Sequence, residues 1–175
     1  MTAGPPPAPV AAAALRWKLG HHAFHVLLVA MNTRLDEAIA ALEAGDWRTA
    51  VRAMDDLSRL YDGATATMRY AADFGREEYE GVVRPSMMPP FASPGFSGVF
   101  NRDHELMLAG VLRLRAFMKE RRSRLPDQVT VAWERLWGAQ RANRHNHMFV
   151  CRSFVDEGRS LLMEFFRARR EAERA

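Results

Sequence analysis

One cysteine, Cys151, stands in 175 residues, so no intramolecular disulfide framework staples this chain, and a reducing compartment suits it. The N-terminus, M-T-A-G-P-P-P-A-P, has neither a basic n-region nor a sustained apolar run, which argues against a secretory signal peptide. Membrane spans are missing too: the longest uncharged run, Pro85 to Asn101, is broken by prolines. The cytoplasm is the expected location, with no membrane partner. G-x-G-x-x-G, the P-loop, H-E-x-x-H and G-x-S-x-G are all absent, so nucleotide-driven and common hydrolase chemistries lose their usual signatures. No glutamate precedes a histidine by three residues, which removes the inward Glu-x-x-His pairs of di-iron bundles.

What is abundant is arginine. It carries the net charge of +4 and is concentrated in R-L-R-A-F-M-K-E-R-R-S-R (113–124) and near the C-terminus. Such runs ordinarily form a solvated helix face, and with no zinc-finger or RNA-binding signature beside them no nucleic-acid partner is expected.

The apolar residues repeat at helical spacing throughout. Trp17, His21, Phe24, Leu28, Met31, Leu35, Ile39 and Leu42 recur three and four apart, predicting a helix from about Ala11 to Ala44 with Gly45 as its stop. Asp46 is placed to cap a second helix, with Trp47, Val51, Met54, Leu57, Tyr61, Thr65 and Met68 as its stripe, reaching roughly Phe74. The stretch from Arg84 to Asn101, R-P-S-M-M-P-P-F-A-S-P-G-F-S-G-V-F-N, predicts a long functional loop with no regular element. A third helix follows over about 102–124, with His104, Met107, Val111, Leu114 and Met118 on one face. After Leu125-Pro126-Asp127 a fourth runs to about Arg170, with Gly138 and Gly158 as places for a bend. The expected fold is all-α: a bundle of about four core helices and one Pro/Gly-rich loop. Residues 1–10 are expected to be a disordered Pro/Ala-rich lead, and 11–175 a single domain.

Chemistry concentrates in N-R-H-N-H-M-F-V-C-R-S-F (143–154). His147 and Cys151 are four apart and so share a helix face, which continues through Trp133, Leu136, Trp137, Gln140, Val150, Phe154, Leu161 and Phe165; the pair is expected to face the core. A neutral imidazole in apolar surroundings suits haem iron as an axial ligand. A packed histidine beside an inert thiol satisfies the same spacing. His21 and His25 are likewise four apart, but no cysteine or carboxylate at supporting spacing completes a metal site.

Three segments, taken in order, resemble the haem-dependent aromatic oxygenases, the superfamily of tryptophan 2,3-dioxygenase. His21-His22-Ala23-Phe24 resembles that family's H-x-A-[YF], whose leading histidine lies over the distal haem face; R-L-D-E-A after it is similar as well. S-P-G-F-S-G-V-F-N-R-D-H-E (93–105) is similar to S-x-G-F-x-S-x-x-x-R-x-x-E, where the arginine grips the substrate α-carboxylate. N-H-M-F-V-C-R resembles the proximal N-H-x-x-x-x-x-R. R-P-S-M-M-P-P and H-x-x-x-C are closest to the branch that hydroxylates tyrosine or 3-methyltyrosine. There the cysteine joins a haem vinyl and an earlier histidine is a second ligand.

The resemblance implies a tryptophan-dioxygenase-like helical fold and a b-type haem on His147, with His145 as the other reading. It implies Cys151 as the site of a thioether or as packing, and His104 as second axial ligand. His21 and His104 become the catalytic candidates, and Arg102, Ser97 and Phe24 the substrate-binding ones. The expected reaction is hydroxylation of an aromatic amino acid, tyrosine or a ring-substituted relative, by O2 or H2O2, in a homo-oligomer. Its rivals are indole-ring dioxygenation, disfavoured because D-E-G-R-S-L-L-M stands where the closing G-T-G-G-S-S-G loop would be, and haem binding or sensing without turnover.

Overall fold

In the computed structural model, which describes residues 8–92 and 101–154, an unbroken row of apolar side chains generates the first helix, α1 (Ala8–Ala44). Leu28, Met31, Leu35, Ala38, Ile39 and Leu42 are all buried along it. The helix begins three residues before the Ala11 that the periodicity suggests. Its end is a Schellman motif: Gly45 takes a φ of 74°, its N–H donates to the Leu42 carbonyl (3.3 Å), and the Asp46 N–H donates to that of Ala41 (2.9 Å).

Asp46 then caps α2 (Trp47–Ala71), accepting from the Thr49 N–H at 3.1 Å. Hydrogen bonds from the Thr49 side chain first, and from its N–H, hold the Asp46 carboxyl below the usual carboxylate range. Ala50, Ala53, Met54, Leu57, Tyr61 and Ala64 are buried along α2, and the small residues let it lie close against α1. The approach is closest at Gly20, where a Cβ would collide with the Ala71 Cβ and sit 2.9 Å from the Ala71 Cα. Gly20→Val is therefore expected to destabilise the fold by about 1–3 kcal/mol through overpacking. Gly138→Ala, whose Cβ meets nothing within 4 Å, should stabilise by up to about 1 kcal/mol. Urea midpoints moving in opposite directions would bear this out; a harmless Gly20→Val would refute it.

A short run follows: α3 (Arg76–Glu78), a π-helical turn (Tyr79–Val83) and α4 (Arg84–Ser86). The expectation that nothing regular begins at Arg84 fails here, because Pro85 occupies a first-turn position where a missing N–H costs little. Residues 93–100, most of the expected loop, lie outside the described residues.

Asn101 caps α5 (Arg102–Arg121), accepting from the His104 N–H at 3.1 Å. Met107, Leu114 and Met118 turn inward, as the sequence spacing predicts, with Gly110 buried beside them and His104 and Val111 of the expected face half-buried. A 3-10 turn (Arg122–Arg124) leads to α6 (Asp127–Phe154), which passes through Gly138 without a break and packs on α2. The four long helices share one core, in which a gap of about 10 Å3 between Leu35, Tyr61, Leu114 and Trp133 barely admits a water. The Tyr61 hydroxyl points to the Met107 sulfur (3.4 Å), and burial raises its pKa to about 12. Among the described residues there is no strand, and no helix long and apolar enough to cross a membrane. The all-α expectation holds.

Candidate active site

The candidate site takes one histidine from α5 and one from α6. His104 sits on the first turn of α5, half-buried, with Asn101 fixing that turn. The same turn is tied to α1: Asn32 Nδ2 donates to the Asp103 carbonyl (2.9 Å), and His25 Nε2 lies 3.8 Å from the Asp103 carboxylate. His147 comes from the last third of α6. Loss of hydration lowers the pKa of both imidazoles, and His147 lowers that of His104 further by charge repulsion. Two rings from different helices thus share one local field. Both are held toward the neutral form, in which a ring nitrogen has a lone pair to give.

His147 does not face the core as the sequence suggested. It lies on the exposed side of α6, although the surrounding protein still removes enough water to shift its pKa. The inward line runs instead through Leu136, Asn143, Asn146, Val150 and Phe154. Apolar spacing misses this because two asparagines take the inward positions. Asn143 Nδ2 donates to Thr65 Oγ1 (2.9 Å), and Asn146 Oδ1 accepts from Arg69 Nε (2.8 Å), both across to α2. At the end of the line Phe154 packs against the rings of Phe74 and Tyr79. His145 is exposed. Cys151 follows His147 by one helical turn, but its side chain lies outside the described set, as do Ser97, Leu161 and Phe165.

His21 is half-buried on α1, its ring 4.4 Å from that of Trp17. Its Nδ1 is 2.7 Å from the Trp17 carbonyl, which only accepts, so Nδ1 carries the proton and Nε2 keeps the lone pair. Burial lowers the His21 pKa, and His22 adds to the shift, against the opposing Trp17 hydrogen bond. Phe24 packs half-buried against the core. Arg102 opens α5 with its side chain exposed. Beyond His104, Leu108 and Leu112 continue that side of α5 as exposed apolar residues, and Met148 is exposed beside His147. Neither ledge stood out in the sequence. Among the described residues no group of three or more His, Cys, Asp or Glu side chains gathers to hold a bare metal ion.

Three lowered imidazole pKa values set a pH dependence. The unfolded chain takes up protons as pH falls through about 6.5, while folded His21, His104 and His147 resist them. Stability is therefore full above that value and is lost as pH falls below it, until the folded pKa values are passed. Urea midpoints should be lower at pH 5.5 than at pH 7.5, and the triple replacement by Gln should flatten the difference. An unchanged slope in that variant would remove the histidines from the account.

The sequence profile described as SfmD 3-methyl-L-tyrosine peroxygenase matches residues 1–128. The chain belongs to this peroxygenase family. A relative named 3-methyl-L-tyrosine peroxygenase, from Streptomyces lavendulae, is 35% identical over 167 residues, covering 91% of this chain and 43% of the relative. The chain thus spans less than half the length of that relative. No solved structure matches it. The family profile includes His21, Phe24, Arg102 and His104, whereas His147 and Cys151 lie past its end.

Proposed function

We propose that this peroxygenase-family chain holds a haem between His104 and His147 and oxidises an aromatic amino acid, tyrosine or a ring-substituted tyrosine, with hydrogen peroxide. The observation carrying this reading is the family match over residues that include Arg102 and His104, with the His104 and His147 imidazoles both held toward the neutral form by loss of hydration. The residues fit the group. Two neutral imidazoles could hold the iron, and the exposed apolar side chains of Leu108 and Leu112 on α5 and of Met148 on α6 are ones a porphyrin could cover. When bound, haem supplies the oxidising power that no side chain here has.

The chain's own part is binding, orientation and proton handling. Arg102 takes the substrate carboxylate in a two-pronged grip and so fixes where the aromatic ring lies. His21, its ring held by the Nδ1 hydrogen bond to the Trp17 carbonyl, is the residue that handles the proton. Cys151, four residues after His147 in the sequence, would be the residue that tethers the haem through a thioether. The choice of peroxide and of a tyrosine ring rests on the relative's printed name.

Haem binding without turnover is a second reading, because two imidazoles would suffice to hold the iron without any reaction following. Purified protein with haem decides between them. A Soret band that responds to 3-methyltyrosine, with peroxide-dependent formation of a hydroxylated product, supports the enzyme. A stable two-imidazole spectrum indifferent to the amino acid supports the binding protein, and a colourless protein ends both. Intact mass in denaturing acid reads the linkage: haem retained by the parent and lost in Cys151→Ser establishes a thioether.

A further inference from the structure

Asn146 is the one buried polar side chain among the described residues, 7% exposed on a helix whose two neighbouring histidines are both exposed. Its carboxamide is satisfied on both sides: Oδ1 accepts from Arg69 Nε at 2.8 Å, and Nδ2 points to the Met68 sulfur at 3.6 Å. One turn earlier, Asn143 donates to Thr65 Oγ1, which donates to the Tyr61 carbonyl at 2.9 Å. Over these two turns α6 is therefore held against α2 by directional polar contacts, with no large apolar side chain at either position.

Such contacts fix rotation more sharply than apolar packing does. An apolar stripe tolerates a turn of the helix about its axis, whereas a hydrogen bond to a charged donor weakens steeply with misalignment. Polar groups within an otherwise apolar interface are attested devices for setting helix register. Successive helical residues point about 100° apart, so His145 and His147 leave α6 on opposite sides of Asn146. The rotation that Asn146 sets decides which of them meets α5. In this structure it is His147: it stands two turns after Gln140, on the side of α6 that with Trp133 and Trp137 shares a gap with Val111 and Leu114 of α5 and carries the Trp137 ring under Arg115, whereas His145 leaves on another side.

We propose that Asn146, gripped by Arg69, is a positioning residue that fixes the rotation of α6 so that His147, and not His145, stands across from His104. Its bearing on haem rests on the function proposed above; the geometric claim does not.

Two measurements test it separately. In a Cys151→Ser background, His104→Cys is paired with either His147→Cys or His145→Cys, and a short bis-maleimide is applied. The 104/147 pair should cross-link and the 104/145 pair should not, a preference lost when Asn146→Leu is added. Arg69→Met removes the same hydrogen bond from α2, and serves if Asn146→Leu does not fold. Asn146→Asp, which keeps the acceptor for Arg69, should restore the preference. A preference unchanged in both Asn146→Leu and Arg69→Met overturns the proposal.

The second measurement is haem titration of the otherwise unsubstituted chain. Asn146→Leu should weaken binding roughly 10–100-fold, as for outer-shell partners of metal ligands, and shrink the low-spin, two-imidazole part of the spectrum. Asn146→Asp should recover both. Full affinity and an unaltered spectrum in Asn146→Leu count against the role. If the parent takes no haem, the functional reading fails and the cross-linking result still decides the positioning claim.

Discussion

His147→Ala is expected to abolish stoichiometric haem binding, while His145→Ala leaves it intact. The two residues are both exposed, both histidine and only two positions apart, so composition and hydropathy cannot separate them. Their directions from α6 do. On the function proposed, His147 is one of two imidazoles that would hold the iron, and deleting it would remove one of those bonds. His104→Ala should behave differently, leaving haem on His147 alone with a shift from a low-spin to a high-spin spectrum. Pyridine haemochrome analysis gives the occupancy and the Soret region the ligation. Full occupancy with an unchanged spectrum in His147→Ala would transfer the role elsewhere and remove the two-helix site.

How far the sequence reached depends on what each feature is made of. α1 and α2 were legible because Leu28, Met31, Leu35, Met54 and Leu57 repeat at helical spacing, and because Gly45 and Asp46 carry the stop and start signals in adjacent positions. His104 was placed in the phase that Met107, Leu114 and Met118 set, and the structure leaves it half-buried at the edge of that face. The phase of α6 was misread over its last turns. Apolar residues alone drew the inward line through His147, whereas Asn143 and Asn146 occupy it, and asparagine gives no apolar signal when its partners, Thr65 and Arg69, lie far back in the chain. The helical run over 84–86 was missed because a proline there reads as a stop, although a first-turn proline breaks no hydrogen bond. The meeting of His104 with His147 is a tertiary relation. No spacing within one helix encodes it.

Arg102→Leu should leave the resting haem spectrum in place and weaken amino-acid binding by about 2–5 kcal/mol, the loss expected when one member of a desolvated charge pair is stranded. At about 1.4 kcal/mol per decade, that is a loss of roughly thirtyfold or more. The size matters because Arg102 is exposed in this chain, and an exposed ion pair contributes only about 0–1 kcal/mol. The larger value requires the bound substrate to cover the guanidinium and exclude water from it. Position favours a carboxylate at this end of α5, where the opening N–H groups of the helix add a positive field to the arginine. Asp103 and Glu105 in the same turn oppose it, so the helix end alone is a poor anion site and the guanidinium must carry the contact. Arg102→Lys, which keeps the charge but not the planar fork, should fall between the parent and Arg102→Leu. Titrating 3-methyltyrosine against the Soret band of all three measures the differences. A loss of 1 kcal/mol or less in Arg102→Leu would mean that Arg102 stays in water, and would move the carboxylate contact to another residue.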